Sequence, residues 1–571
     1  MQNDQGRISK FSLFQSGAFL AHIAITIWSI TILVLHLLEP LDINQFEITV
    51  IITLVSVFIT LIPIYWLRTR GGYLAGILVY VGMLVAGVNA IVEKNYFFSF
   101  SLYNLSVILI YLVAIAGVYL NFKAYQQLPR EKLTRAIHPL IVSLVVFALT
   151  AYLVQANFVA IYEFRSIQIQ NRIAQELSGL DTIEDKIRFL VDKGGIPSMV
   201  VGIVVNGQLV LSEAFGEASI DTAYACGSVT KMFTATAIMK LYEQGLIDID
   251  NDASQYLPFE IHHPKYSKAV TVRDLLTHQS GLSPLTITQE AYYLDETLID
   301  WISQKHGWKI QKVTPHPSIA EYLEGLLTPG RQYYFKEVWL SVAPGTEHQY
   351  SNTNYLLLAS LIEHVTGKSF SEYMQENIFD PLEMNSSGFD YTEFGESYAT
   401  GYEREYGLLS KTNLEVPDYK RVPGPGGLIT TVNDLSRFLI AQLNQEQNGN
   451  NRILTSDSID MMHKKAVDSG GHINKIGYGL GFTHLSSSPW QFYGHFYGMK
   501  GAIGHEGGQI GYSGAFYFVK EEMGGYGFIL LTNYSTIEQD VDFTWYFPTY
   551  YQINVLLMEE AANRFIQQNG R

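Results

Sequence analysis

Ser228 and Lys231 stand three positions apart in Cys226-Gly-Ser-Val-Thr-Lys231, at the head of an apolar-striped stretch that reads as a helix to about Gly245. A serine hydroxyl is a weak nucleophile until a base takes its proton. On a helix, positions i and i+3 share a face with Cβ atoms about 5–6 Å apart, so a lysine amine there folds back onto the hydroxyl. Burial or nearby positive charge lowers the lysine pKa and makes the amine a base near neutral pH. Backbone N–H groups at the helix start are placed for a developing oxyanion. Two fixed positions alone are a weak signal, and a helix cap beside a solvated lysine explains them equally well.

Two more stretches change the balance. Residues 343–367 hold Tyr350-Ser351-Asn352 just before an apolar helix, and residues 504–514 hold His505-Glu506-Gly507-Gly508 at a strand position near the C-terminus. Together the three motifs resemble the serine β-lactamase and penicillin-binding-protein superfamily, in its class C-like serine hydrolase branch. Framework stretches at 271–282, 381–389, 424–439 and 477–482 fit the same family, and the resemblance covers about 181–565. It implies Ser228 as the acylated nucleophile, Lys231 as its proton acceptor and Tyr350 as the shuttle that protonates the leaving group. It also implies that Asn352 bonds the substrate amide, and that the Gly508 and Ser228 N–H groups form the oxyanion hole.

The third motif departs from the family's usual Lys-Thr-Gly. A fixed lysine charge suits a substrate carboxylate, whereas His505 is only partly charged at neutral pH and Glu506 adds negative charge. Penicillinase and DD-carboxypeptidase activity are thereby put in doubt, and the esterases, amidases and D-amino-acid-specific peptidases fit better. Glu506 is a candidate contact for a substrate amine. His278 reads as a buried structural histidine, Cys226 as a small core residue, and Arg421 as a residue that could border the pocket. His262-His263 and His505-Glu506 raise zinc, but Gln509 stands where HExxH needs its second histidine. The expectation is no metal and no cofactor.

The elements that must position these residues follow from patterning. Two β-rich runs flank Asn206-Gly207, a strong hairpin signal. Residues 514–535 form a second hairpin with Gly524-Gly525 at its turn, and the last segment is helical. Asp181-Thr-Ile-Glu184 resembles a capping box opening a helix that stops at Gly194-Gly195. The fold class is α+β, an antiparallel sheet flanked by helices. The aromatic-rich stretch 283–344, with Tyr292, Trp301, Tyr322, Tyr333 and Trp339 among others, reads as helix packing, with a lid over a cleft as the sharper alternative.

Lys and Arg number 38 against 54 Asp and Glu, a net charge of −16 that argues against a nucleic-acid partner. The single cysteine excludes an intrachain disulfide. Apolar spans at 17–38, 47–67, 72–92, 101–121 and 138–163 each approach the roughly 20 residues needed to cross a bilayer. Their loops place Arg7, Lys10, Arg68, Arg70, Lys123 and Arg130 on one side, the cytoplasmic one by the positive-inside rule. The expected organisation is an all-α transmembrane domain (1–163), a helical stalk (164–180) and an extracytoplasmic hydrolase domain (181–571). Its partners are the bilayer and a small-molecule or peptide substrate. A penicillin-sensing or penicillin-binding receptor without efficient turnover is the alternative, and the spans carry too few ionisable groups for a transporter.

Overall fold

The computed structural model describes residues 173–283, 318–405, 408–411, 423–443, 453–469, 476–485, 499, 501–509, 511–521, 524–534 and 546–570, with isolated positions between 115 and 126. The chain divides into two compact units, Met1–Arg165 and Ser166–Arg571. The five apolar spans of the sequence lie outside the described residues, apart from those isolated positions. Among the described residues no helix is long and apolar enough to cross a membrane.

The second unit is built on one antiparallel sheet. Its strands are β1 (Ser198–Val205), β2 (Gln208–Gly216), β3 (Val467–Ser469), β4 (Ile476–Tyr478), β5 (Thr483–His484), β6 (Ile503–Gln509), β7 (Tyr512–Glu521) and β8 (Gly524–Thr532). They lie in the order β2-β1-β8-β7-β6-β5-β4-β3. Four helices matter most to the site and its support: α1 (Ile183–Gly194), α2 (Thr230–Glu243), α3 (Asn352–Thr366) and α4 (Tyr546–Gln568).

Strand alternation sorts the core into two layers. On β1, Met199, Val201, Ile203 and Val205 pack with Ile187 and Leu190 of α1 and Ile553 and Leu557 of α4. Val200 and Val204 pack on the other face with Phe233 and Ile238 of α2 and Leu357 and Leu361 of α3. On β7, Phe516 and Phe518 join α2 and α3, while Ala515 and Tyr517 join α1 and α4. The sheet is therefore sandwiched between helices, and all eight residues of β1 are buried. Each large apolar side chain buried in this way contributes about 1.5–3 kcal/mol, which is why β1 anchors both layers.

The first hairpin forms as its sequence requires. Asn206 and Gly207 take φ of 48° and 76°, the left-handed pair of a two-residue type I′ turn, and Val205 pairs with Gln208 across it. The second hairpin differs from expectation. Its ladder runs to Glu521 opposite Gly524, so Gly524 and Gly525 open β8 instead of making the turn. A Cβ on Gly525 would lie 2.4 Å from the Val519 carbonyl oxygen and the residue holds φ of 151°, so close strand approach and backbone conformation both demand glycine there.

The cap of α1 is also shifted by one residue. Thr182 is the N-cap, in extended backbone, and its hydroxyl accepts the Asp185 N–H at 3.1 Å. Nor is the stalk free of the domain throughout, because Ile173 and Leu177 are buried in the layer with α1 and α4. In the aromatic-rich stretch, Tyr322 and Trp339 are buried and Tyr333, Tyr334 and Phe335 pack on the core, which is the packing alternative. Tyr292, Tyr293, Trp301 and Trp308 lie outside the described residues.

Candidate active site

Ser228 sits in a single 3₁₀ turn, Gly227–Val229, that runs directly into α2. The turn is pressed against β6 backbone to backbone. Gly227 holds φ of 52°, and a Cβ there would lie 2.7 Å from the Gly508 nitrogen. A Cβ on Gly507 would lie 1.8 Å from the Cys226 carbonyl oxygen and 3.1 Å from the Ser228 nitrogen. Only glycine permits this approach, and it brings the Gly508 amide beside the turn that carries the Ser228 amide.

Lys231, the second residue of α2, is fully buried. Its Nζ lies 2.9 Å from Ser228 Oγ and donates to the Pro425 carbonyl at 2.6 Å. The rings of Tyr350 and Tyr355 stand 5.0 and 5.6 Å from the same nitrogen. Burial holds the amine well below the usual lysine range, and no described carboxylate forms an ion pair with it. Burial thus favours the unprotonated amine, which has a lone pair to offer. Tyr350 donates its O–H to Ser228 Oγ at 2.8 Å, and burial pushes that phenol up, so its proton stays in place. Asn352 begins α3, and its Oδ1 is shielded with no partner among the described residues.

His505 and Glu506 are separated by the pleat. His505 pairs across the ladder with Phe516 and Glu506 with Ala515, and directly opposed residues share a face. His505 therefore faces α2 and α3, where its Nε2 accepts the Tyr478 O–H at 3.2 Å. Its Nδ1–H donates to the Glu506 carbonyl. Burial first, and then the neighbouring Lys231 amine, push its pKa down to about 3. The imidazole is therefore neutral at working pH, not partly charged as the sequence suggested.

Glu506 lies on the opposite face, where Tyr551 of α4 donates to its Oε2 at 3.3 Å. A substrate amine bound at Ser228 does not meet it there, which corrects that expectation. Burial raises the Glu506 carboxyl to about 7, only partly opposed by the Tyr551 hydrogen bond. The folded state therefore holds a proton that the unfolded chain has lost, and this contribution to stability falls as pH rises from about 4.5 to about 7. Glu506→Gln is expected to flatten that slope in urea titrations and to leave turnover at Ser228 unchanged. A parallel loss of turnover would return Glu506 to the site.

The remaining candidates fall away from the chemistry. Cys226 is buried and its thiol donates to the Leu428 carbonyl at 3.2 Å. His262 pairs with Glu260, and His263 bonds the Leu340 carbonyl. Arg421 lies outside the described residues. No motif points to the Pro425 carbonyl that holds Lys231, beyond the glycine-rich stretch in which it lies. Tyr478, which bonds His505 Nε2, belongs to the 477–482 framework stretch.

A buried lysine and a tyrosine converge on one serine beside a two-glycine strand, the arrangement of a serine hydrolase. The chain belongs to the Beta-lactamase family, whose pattern matches residues 183–548. It is 27% identical over 314 residues to protein Flp of Staphylococcus aureus, covering 53% of this chain and 55% of Flp. It is 28% identical over 254 residues to the teichoic acid D-alanine hydrolase of that species, covering 43% of this chain and 54% of the relative. The chain thus spans about half the length of the curated relatives it matches. Among solved structures, the octameric penicillin-binding protein homologue from Pyrococcus abyssi is similar at a TM-score of 0.52 and 26% identity, covering 68% of this chain and 80% of that one.

Proposed function

We propose that the protein is a membrane-anchored, extracytoplasmic hydrolase that acylates Ser228 with amides or esters lacking a carboxylate beside the scissile bond, D-alanyl compounds foremost. The observation that carries this is the placement of Ser228 Oγ between the Lys231 amine at 2.9 Å and the Tyr350 hydroxyl at 2.8 Å. Neutral Lys231 takes the serine proton as Oγ bonds the substrate carbonyl carbon. The resulting oxyanion is met by the Ser228 and Gly508 N–H groups, each such donor being worth about 10²–10³ in rate. Tyr350 gives its proton to the departing amine or alcohol as that bond breaks. Water then attacks the ester, losing a proton to the Tyr350 phenolate while Lys231 returns its proton to Ser228 Oγ. Asn352 Oδ1, buried and unpaired among the described residues, is the acceptor for a substrate N–H.

Substrate class follows from charge. With His505 neutral and held by Tyr478, the strand offers no cation to a carboxylate. The similarity to a teichoic acid D-alanine hydrolase supports a D-alanyl ester. Five apolar spans and the Lys/Arg bias of their loops support the anchored, extracytoplasmic placement. The test is hydrolysis, by detergent-purified protein, of D-alanyl and L-alanyl methyl esters and of a peptide ending in D-alanyl-D-alanine. The esters are expected to turn over and the carboxylate-bearing peptide to be poor. Preference for that peptide, or a long-lived penicillin adduct without turnover, would overturn the proposal in favour of a carboxypeptidase or a penicillin-binding receptor.

A further inference from the structure

We propose that His278 is a positioning residue that holds the Tyr350 phenol on Ser228, an inference that rests on the hydrolase function proposed above. His278 follows the short helix Val272–Leu276 and takes φ of 56°, a left-handed conformation that side chains with a Cβ rarely adopt. It is fully buried. From this strained position it grips the chain on both sides of Tyr350. The His278 carbonyl accepts the Gln349 N–H at 2.7 Å, and its Nδ1 accepts the Ser351 N–H at 3.2 Å. The His278 ring also lies against the Tyr350 ring, with centroids 4.3 Å apart.

The ring's own orientation is set from behind. Asn354 Nδ2 donates to Nδ1 at 3.0 Å, and Ser280 Oγ fixes that amide by donating to Asn354 Oδ1 at 2.6 Å. With Nδ1 accepting twice, the neutral imidazole carries its hydrogen on Nε2. The titratable groups that face it are His348, Tyr350, Tyr355 and Tyr478, with Lys231 and His505 close by. No described acid is among them, and burial first, then the basic neighbours His348, Lys231 and His505, which would repel a proton on the ring, hold the imidazole well below its ordinary range. A neutral ring supports the tyrosine without competing for its proton.

A misplaced Tyr350 harms the step that needs its proton, departure of a poor leaving group. The test measures kcat/KM for a D-alanyl anilide and a D-alanyl p-nitrophenyl ester in wild type, His278→Asn, Tyr350→Phe and the double variant. Asparagine tolerates the left-handed backbone and keeps an acceptor, but has no ring to lay against the phenol. His278→Asn is expected to lower anilide hydrolysis about 10–100-fold through kcat, since a 1 Å misplacement costs that order, while ester hydrolysis falls less than about threefold. In the Tyr350→Phe background the same change is expected to do almost nothing, because the two act as a unit. Ser280→Ala, which loosens the ring without touching it, is the second variant and is expected to show the same anilide-selective loss, more weakly. Equal losses on both substrates, or an undiminished loss without Tyr350, would overturn the inference alone. Absence of any Ser228-dependent turnover in wild type would overturn the hydrolase function and this inference with it.

Discussion

Lys231→Met is expected to lower kcat/KM for esters and amides alike by about 10²–10⁴-fold, the range of a lost general base, and at the same time to raise the melting temperature. Both effects come from one fact, the burial of an amine with no described carboxylate to pair it. The unfolded chain binds a proton at this side chain up to its ordinary pKa of 10.5, whereas the folded site resists it. The unfolded state therefore holds more protons below that value, so folding loses stability as pH falls from about 10.5 towards the lowered folded pKa. Methionine fills the space without that penalty, and apolar residues of similar volume in place of buried ionisable groups are often stabilising, by about 1–4 kcal/mol. Arginine at 231 restores nothing, because its guanidinium never gives up a proton. Calorimetry and steady-state kinetics on the same samples check both halves, and a variant that is both active and no more stable contradicts a neutral Lys231.

Gly507→Ala is the second large effect. Its methyl would lie 1.8 Å from the Cys226 carbonyl oxygen and 2.9 Å from the carbonyl carbon, and these are backbone atoms that cannot rotate away. Either β6 or the Ser228 turn must retreat, and each retreat parts the two amides that receive the oxyanion. The expected loss is at least the ~10²–10³ of one missing donor. Gly426→Ala is the control: its methyl meets nothing closer than the Gly227 carbonyl carbon at 3.7 Å, and near-normal rates are expected. Equal rates for wild type and Gly507→Ala would mean that β6 takes no part in the oxyanion hole.

Local chemistry made much of this site legible in the sequence. Ser228 and Lys231 are joined by one turn of helix, and the Asn206-Gly207 hairpin is written in two adjacent residues. Tyr350 and His505 became legible through the resemblance, since no local rule brings position 350 or 505 to position 228. Long-range facts were not legible. Assigning Glu506 to the site followed from its place beside His505 in the chain, and the strand pleat then turned it to the other face, against Tyr551. The neutrality of His505 depends on its burial beside Lys231, a long-range placement that no motif encodes. The Gly524-Gly525 turn failed for a related reason, because glycine marks close backbone approach as readily as it marks turns.

The central claim is that Ser228 is an acylated nucleophile activated by Lys231 and Tyr350. Intact-mass analysis of detergent-purified wild type, Ser228→Ala and Lys231→Met after exposure to a fluorophosphonate tests it most directly. One adduct on wild type, none on Ser228→Ala and slow labelling of Lys231→Met is the expected result. An adduct that persists in Ser228→Ala, or a wild type that stays unlabelled, would contradict it.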